Sequence, residues 1–187
     1  VLEQIAVGGM GSVYIAEQVA LGRKVAVKVV VNPDENLIER MQREANALAE
    51  VDHPAVVDIL DFVTLVDETS TRGCLVMAYI DGKDLRDYLR EQPEGCLDPH
   101  EVRVLMLPIV SALVELHAAG IVHRDIKPDN LVRVIRADGR PGIKLVDFGI
   151  ARRHSDVGIT AIGTLIGTPP YMSPETLNGE FHTPVAD

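Results

Sequence analysis

Cysteine is scarce in this chain. Cys74 and Cys96 are the only two in 187 residues. They lie far apart and without metal-ligand spacing, so neither a disulfide framework nor a zinc site is expected. Basic charge is also short, with 18 Lys and Arg against 28 Asp and Glu and a formal net charge of -10. A general nucleic-acid binder needs a basic face to neutralise phosphates, so no nucleic-acid partner is expected. Long apolar runs are missing too. The longest weakly polar stretch, Val104 to Val114, is flanked by Arg103 and Glu115. It is too short to span a bilayer and reads as a buried helix. There is no charged-then-apolar leader, internal repeat or low-complexity segment. A cytoplasmic location with no membrane segment in this chain is the expectation, while Val1 in place of a methionine suggests a larger parent that could carry an anchor.

What is present is the composition of a globular protein, 47% hydrophobic and 25% charged, long enough for one domain or two small lobes. Strands are expected near Leu2–Ile5, Ser12–Glu17 and Lys24–Val31, with a glycine turn between the first two. In the third, Ala26 and Lys28 are two apart and share a face; Val25, Val27 and Val29 take the other, which is expected to pack. Ile38, Met41, Ala45 and Leu48 recur at helical spacing between Glu35 and Val51, with Glu44 beside that stripe. Two more strands are expected at about Val56–Val66 and Cys74–Ile80, joined by a polar turn from Asp67 to Gly73. A helix should start at Pro99, with Asp98 as N-cap and Glu101 closing a capping box, and stop at Gly120. Pro108 should bend it. Leu131–Ile135 and Ile143–Val146 read as a hairpin that places Asp147 at a strand end.

The most informative segment is His123-Arg124-Asp125-Ile126-Lys127-Pro128-Asp129-Asn130, followed seventeen residues after Asn130 by Asp147-Phe148-Gly149. Phosphoryl transfer needs a carboxylate to accept a hydroxyl proton and oxygen ligands to hold magnesium. Asp125 suits the first task, and Asn130 and Asp147 suit the second. Either motif alone would be weak. Their order with a glycine loop (Ala6 to Tyr14), a strand lysine (Lys28), a helix glutamate (Glu44) and Ser173-Pro174-Glu175 is not a chance pattern.

This ordered set resembles the protein kinases, and with Gly8-Gly9-Met10-Gly11 and Lys127 it is most similar to the bacterial, Hanks-type serine/threonine kinases. The resemblance implies an α+β, bilobal fold, with an antiparallel-sheet N-lobe and hinge over about 1–80 and the first part of a mainly helical C-lobe over about 81–187. It implies ATP and Mg2+ as cofactors, and proteins carrying serine or threonine as substrates. Asp125 would be the catalytic base and Lys127 would contact the transferred phosphate. Val7, Gly8 and Gly11 would cover the nucleotide, with Ala6 where the family has its first glycine. Lys28 would hold phosphates, oriented by Glu44. Val13 and Ala26 would lie above the adenine and Val132 below it, with Met77 as gatekeeper and Ala78 to Ile80 as hinge. Asn130 and Asp147 would bind the metal.

Arg124 before Asp125 implies activation by phosphorylation between Asp147 and Glu175, with Thr160 or Thr164 as the autophosphorylation site and self-association for transfer in trans. Thr168 would bond near Asp125 and Lys127, and Ser173 stands where the family more often has alanine. The chain would stop at the start of the central C-lobe helix, whose aspartate, Asp187, anchors the catalytic loop. Produced alone, it would expose an apolar helix face and fold poorly. A pseudokinase or scaffold, and a small-molecule phosphotransferase of the same fold, are the alternative readings.

Overall fold

The computed structural model describes residues 1–8, 11–149, 169–178 and 183–187. They form two compact units, the first from Val1–Glu50 and Asp58–Tyr79, the second from Val51–Val57, Ile80–Gly149 and the described segments after it.

The first unit is a five-stranded antiparallel sheet of β1 (Glu3–Gly8), β2 (Gly11–Gln18), β3 (Arg23–Val31), β4 (Ile59–Val66) and β5 (Thr71–Ala78), in the order β1-β2-β3-β5-β4. Helix α1 (Glu35–Ala49) starts where the Asp34 carboxylate accepts the Leu37 N–H at 2.8 Å, satisfying one of the donors a helix start leaves open. Its apolar stripe buries Met41, Ala45 and Leu48.

Register decides which face this helix covers. Val30 pairs with Gly73, and a Cβ placed on Gly73 would sit 3.3 Å from the Met41 side chain. Met41 therefore packs on the face that carries Val30, and with it Lys28 and Ala26 two and four residues earlier. This reverses the expected packing of β3: Ala26, Lys28 and Val30 are buried, while Val27 and Val29 are only half-buried and Val25 alone of its row is enclosed. The sequence shows alternation but not which side the helix will take.

The β4–β5 turn is shorter than expected, since β5 already begins at Thr71. Asp67 builds it. Its Oδ1 accepts the Thr69 N–H and hydroxyl and the Ser70 N–H, each at 2.9 Å, and its Oδ2 accepts the Ser70 hydroxyl at 3.0 Å. These bonds, the Thr69 amide first, hold the carboxyl at about 2 instead of 3.8. A depressed acid stabilises the fold above its unfolded pKa, and the contribution disappears as pH falls toward the folded value. In the full-length protein, Asp67→Ala should lower the urea midpoint at neutral pH, with the gap to wild type narrowing below about pH 4. A gap independent of pH would contradict the turn's role.

The second unit holds α2 (Leu85–Arg90), α3 (Pro99–Ala118) and a three-stranded sheet of β6 (Lys83–Asp84), β7 (Leu131–Ile135) and β8 (Pro141–Leu145). Neither β6 nor α2 is evident from periodicity, because both are too short to repeat a pattern. Val56 and Val57, expected to open β4, belong here. A parallel bridge joins Val56 to Leu145, with Leu145 N–H bonded to Ala55 O at 2.7 Å and Val57 N–H to Leu145 O at 3.1 Å. Their apolar character comes from this burial and not from a longer strand.

Helix α3 starts as expected, the Asp98 carboxylate accepting from the His100 and Glu101 amides. Glu101 is not turned back to close the box; it accepts the Tyr88 hydroxyl at 2.8 Å and lies 3.5 Å from Arg133, whose guanidinium covers the Tyr88 ring at 4.4 Å. The helix runs through Pro108 and ends with Gly120 at φ 76°, a left-handed conformation that glycine adopts without penalty. Leu105, Ile109, Ala112 and Leu116 are buried, each large side chain worth about 1.5–3 kcal/mol. Leu107, Val110 and Val114 are exposed on the other side. Among the described residues, no helix is long and apolar enough to cross a membrane.

Candidate active site

The loop from His123 to Asn130 leaves α3 through Gly120 and enters β7 through a short 3-10 turn, Pro128–Asn130. It is held from below by His123, a fully buried residue to which sequence reasoning gave no role. The ring Nδ1 faces the Asp125 N–H at 3.3 Å and Nε2 faces the Val146 carbonyl at 3.0 Å. One nitrogen must accept and the other donate, so these partners assign the neutral tautomer with its proton on Nε2. Burial pushes the imidazole pKa down, which also favours the neutral form. The ring lies 4.6 Å from Phe148, and the Gly149 N–H bonds the His123 carbonyl at 3.2 Å. One histidine therefore ties the Asp125 loop to the Asp147-Phe148-Gly149 segment.

Asp187 is the second anchor. Its Oδ2 accepts the His123 N–H at 2.6 Å and its Oδ1 the Arg124 N–H at 2.7 Å, with His117 Nε2 at 3.1 Å. The carboxylate side chain is 1% exposed. Arg124 needs this support, because its φ of 70° is uncommon for a residue with a side chain and costs about 1–3 kcal/mol. Asp147 has a similar φ of 57°. Strained backbone thus occurs at both loops that carry the candidate chemistry.

On this frame Asp125 Oδ2 receives the Lys127 ammonium at 2.8 Å and the Asn130 Nδ2 donor at 3.0 Å; the same nitrogen also bonds the Asp125 carbonyl at 2.8 Å. The Asp125 and Lys127 side chains are 11% and 18% exposed, so the carboxylate is fixed yet still reachable. The Val146 N–H bonds the Asn130 carbonyl at 2.9 Å, which sets Asp147 next to Asn130 along the paired backbone.

The donor set suits magnesium. With its amide nitrogen committed to Asp125, Asn130 presents a carbonyl oxygen, and Asp147 supplies a carboxylate. Magnesium is commonly held by one or two such groups together with substrate phosphates and water. Among the described residues there is no cluster of three or more His, Cys, Asp or Glu that could cage a metal. Val132, on β7 opposite Lys144 and Asp84, is half-buried, and Ile80 begins the Ile80–Gly149 segment of this unit.

The first unit gathers the other candidates on one sheet face. Val13 and Leu75 flank Lys28, and Ile15 and Met77 flank Ala26, so Val13, Ala26, Lys28 and Met77 share the side that α1 covers. Lys28 is 8% exposed. Glu44, half-buried on α1 beside Ala45, is on the helix that packs over that face. The Ala78 N–H is committed to the Asp58 carbonyl at 2.9 Å, so a hinge role for Ala78 falls to its C=O.

Gly11 has φ 136°, and a Cβ there would meet the Val29 carbonyl oxygen at 2.3 Å. Its glycine is required by β3 whether or not a phosphate approaches. Ala6 pairs with Val13, Val7 with Ser12 and Gly8 with Gly11.

Ser173 has a local reason: it caps α4 (Pro174–Leu177), its hydroxyl accepting the Thr176 N–H at 3.4 Å and lying 2.9 Å from the Thr176 hydroxyl. Thr160, Thr164 and Thr168 lie outside the described residues.

A protein kinase domain family model matches residues 1–187. The serine/threonine-protein kinase pkn2 of Myxococcus xanthus is 40% identical over 96% of this chain and 21% of its own length. For PrkC of Bacillus subtilis the figures are 37%, 100% and 28%, and for PknL of Mycobacterium tuberculosis 36%, 98% and 44%. The chain thus spans less than half of each of these relatives. The crystal structure of the Mycobacterium tuberculosis PknI kinase domain, a double mutant, aligns with a TM-score of 0.74 at 25% identity, over all of this chain and 66% of that one. The antiparallel sheet with α1, the anchored Asp125 loop and the adjoining Asp147 segment are accounted for together by these matches, and the chain belongs to the protein kinase domain family.

Proposed function

We propose that this chain forms part of an enzyme that transfers the γ-phosphoryl group of ATP to serine and threonine hydroxyls of proteins. The observation that supports it most is the Asp125 carboxylate, contacted by Lys127 at 2.8 Å and Asn130 at 3.0 Å on a loop anchored by His123 and Asp187. Asp125 accepts the hydroxyl proton as the acceptor oxygen bonds phosphorus and ADP leaves. Lys127 offsets negative charge on the transferred group. Lys28, oriented by Glu44, holds the α and β phosphates. Val7, Gly8 and Gly11 cover them, while Val13, Ala26, Met77, Ala78, Ile80 and Val132 receive the adenine. Asn130 and Asp147 hold magnesium, which supplies charge neutralisation at the phosphates when bound.

Residues from about 1 to 80, apart from Val51–Val57, make up the nucleotide-binding lobe and hinge, and about 81–187 the first part of the larger lobe. The enzyme is cytoplasmic in its catalytic part and phosphorylates itself in trans on Thr160 or Thr164. The relatives named as serine/threonine-protein kinases support the choice of hydroxyl, while the location and the modified threonines rest on the motif resemblance alone. Full-length protein given magnesium and ATP is expected to phosphorylate serine and threonine peptides at least about tenfold faster than a matched tyrosine peptide. Nucleotide binding without transfer to any peptide would favour a pseudokinase.

A further inference from the structure

Asp129 occupies the turn between Lys127 and Asn130, both of which touch Asp125. A carboxylate in that place, with a side chain 40% exposed, would attract a basic side chain of an acceptor protein. It is already engaged. Arg86 on α2 makes two parallel bonds to it, Nε to Oδ1 at 2.6 Å and Nη2 to Oδ2 at 2.8 Å, the fork geometry in which arginine matches a carboxylate best. The same guanidinium lies 5.9 Å from the ring centroid of Tyr171, in the Pro169–Tyr171 turn that follows the phosphorylatable segment. Three segments far apart in sequence meet at Arg86.

We propose that Arg86 is a specificity-determining residue: by engaging Asp129 against Tyr171, it keeps the acceptor side of the catalytic loop from selecting substrates with arginine or lysine near the target hydroxyl. The inference rests on the kinase reading above. It differs from a structural clamp in its consequence. Loss of a clamp would slow transfer to every substrate alike, whereas exposing an anion changes the ranking of substrates.

The test uses full-length protein and two serine peptides identical except that one has neutral flanks and the other carries arginines on both sides of the serine. Wild type should give kcat/KM values for the two within about twofold of each other. Arg86→Ala should raise the basic-to-neutral ratio by about fivefold, the scale of one partly exposed ion pair. Arg86→Gln, which keeps the stem and an amide donor but no charge, should shift the ratio in the same direction and serves if the alanine variant is unstable. Adding Asp129→Ala to either variant should return the ratio to the wild-type value. A ratio unchanged in both Arg86 variants, or a shift that persists without Asp129, would overturn the inference while leaving the kinase reading intact. Wild type that phosphorylates neither peptide would instead overturn the kinase reading, and the inference with it.

Discussion

Asp125→Asn is expected to reduce kcat for peptide phosphorylation by about 10²- to 10⁴-fold, the usual contribution of a positioned general base. The substitution is close to isosteric. An asparagine oxygen can still accept from Asn130 Nδ2, so the geometry of the turn should survive. What is lost is the site that takes the hydroxyl proton, together with the charge that Lys127 faces at 2.8 Å. Peptide KM should therefore change little while kcat falls, the pattern of an interaction made mainly in the transition state. Steady-state kinetics on full-length protein would show this. Activity within about tenfold of wild type would remove Asp125 from its assigned role.

Asp187→Ala should be the most damaging substitution for the fold of the catalytic loop. It deletes a carboxylate that is 1% exposed and bonds two backbone donors, at 2.6 Å to His123 and 2.7 Å to Arg124. Hydrogen bonds to a charged group contribute about 1.5–3 kcal/mol each, and buried donors left without a partner add their desolvation cost. A loss of about 3–5 kcal/mol follows, a large share of the stability of an ordinary domain. The left-handed backbone of Arg124 would relax at the same time, so the remaining folded protein should also transfer phosphate poorly. Urea unfolding followed by far-ultraviolet circular dichroism checks the stability. Asp187→Asn, which keeps one acceptor oxygen, should lose less than Asp187→Ala; equal losses would mean that the anchor does not act through these bonds.

The candidate residues stand out in the sequence because their types suit phosphoryl transfer and three of them share one short loop. Asp125, Lys127, Asn130 and Asp147 could be picked out without coordinates. Of their supports, only Asp187 is named by the resemblance. His123 stands in the same motif, but nothing in its neighbours tells that its ring will bridge Asp125 and Val146. Arg86 is 43 residues from Asp129, and only the packing of a six-residue helix brings them together.

The same division holds for the fold. Helix α1 and the start of α3 were readable from periodicity and an N-cap, both local signals. The buried face of β3 was misassigned because alternation is symmetric until a helix covers one side. Val56 looked like the start of β4, yet it pairs with Leu145, 89 positions along. A non-local partner leaves no trace in a local window.

The most direct test of the central claim is the intact mass of full-length protein incubated with magnesium and ATP, followed by peptide mapping. Added phosphates on serine or threonine are expected, with Thr160 or Thr164 among the modified residues, and none in the Asp125→Asn protein. A folded wild-type protein that binds ATP but gains no phosphate and modifies no protein substrate would contradict that claim.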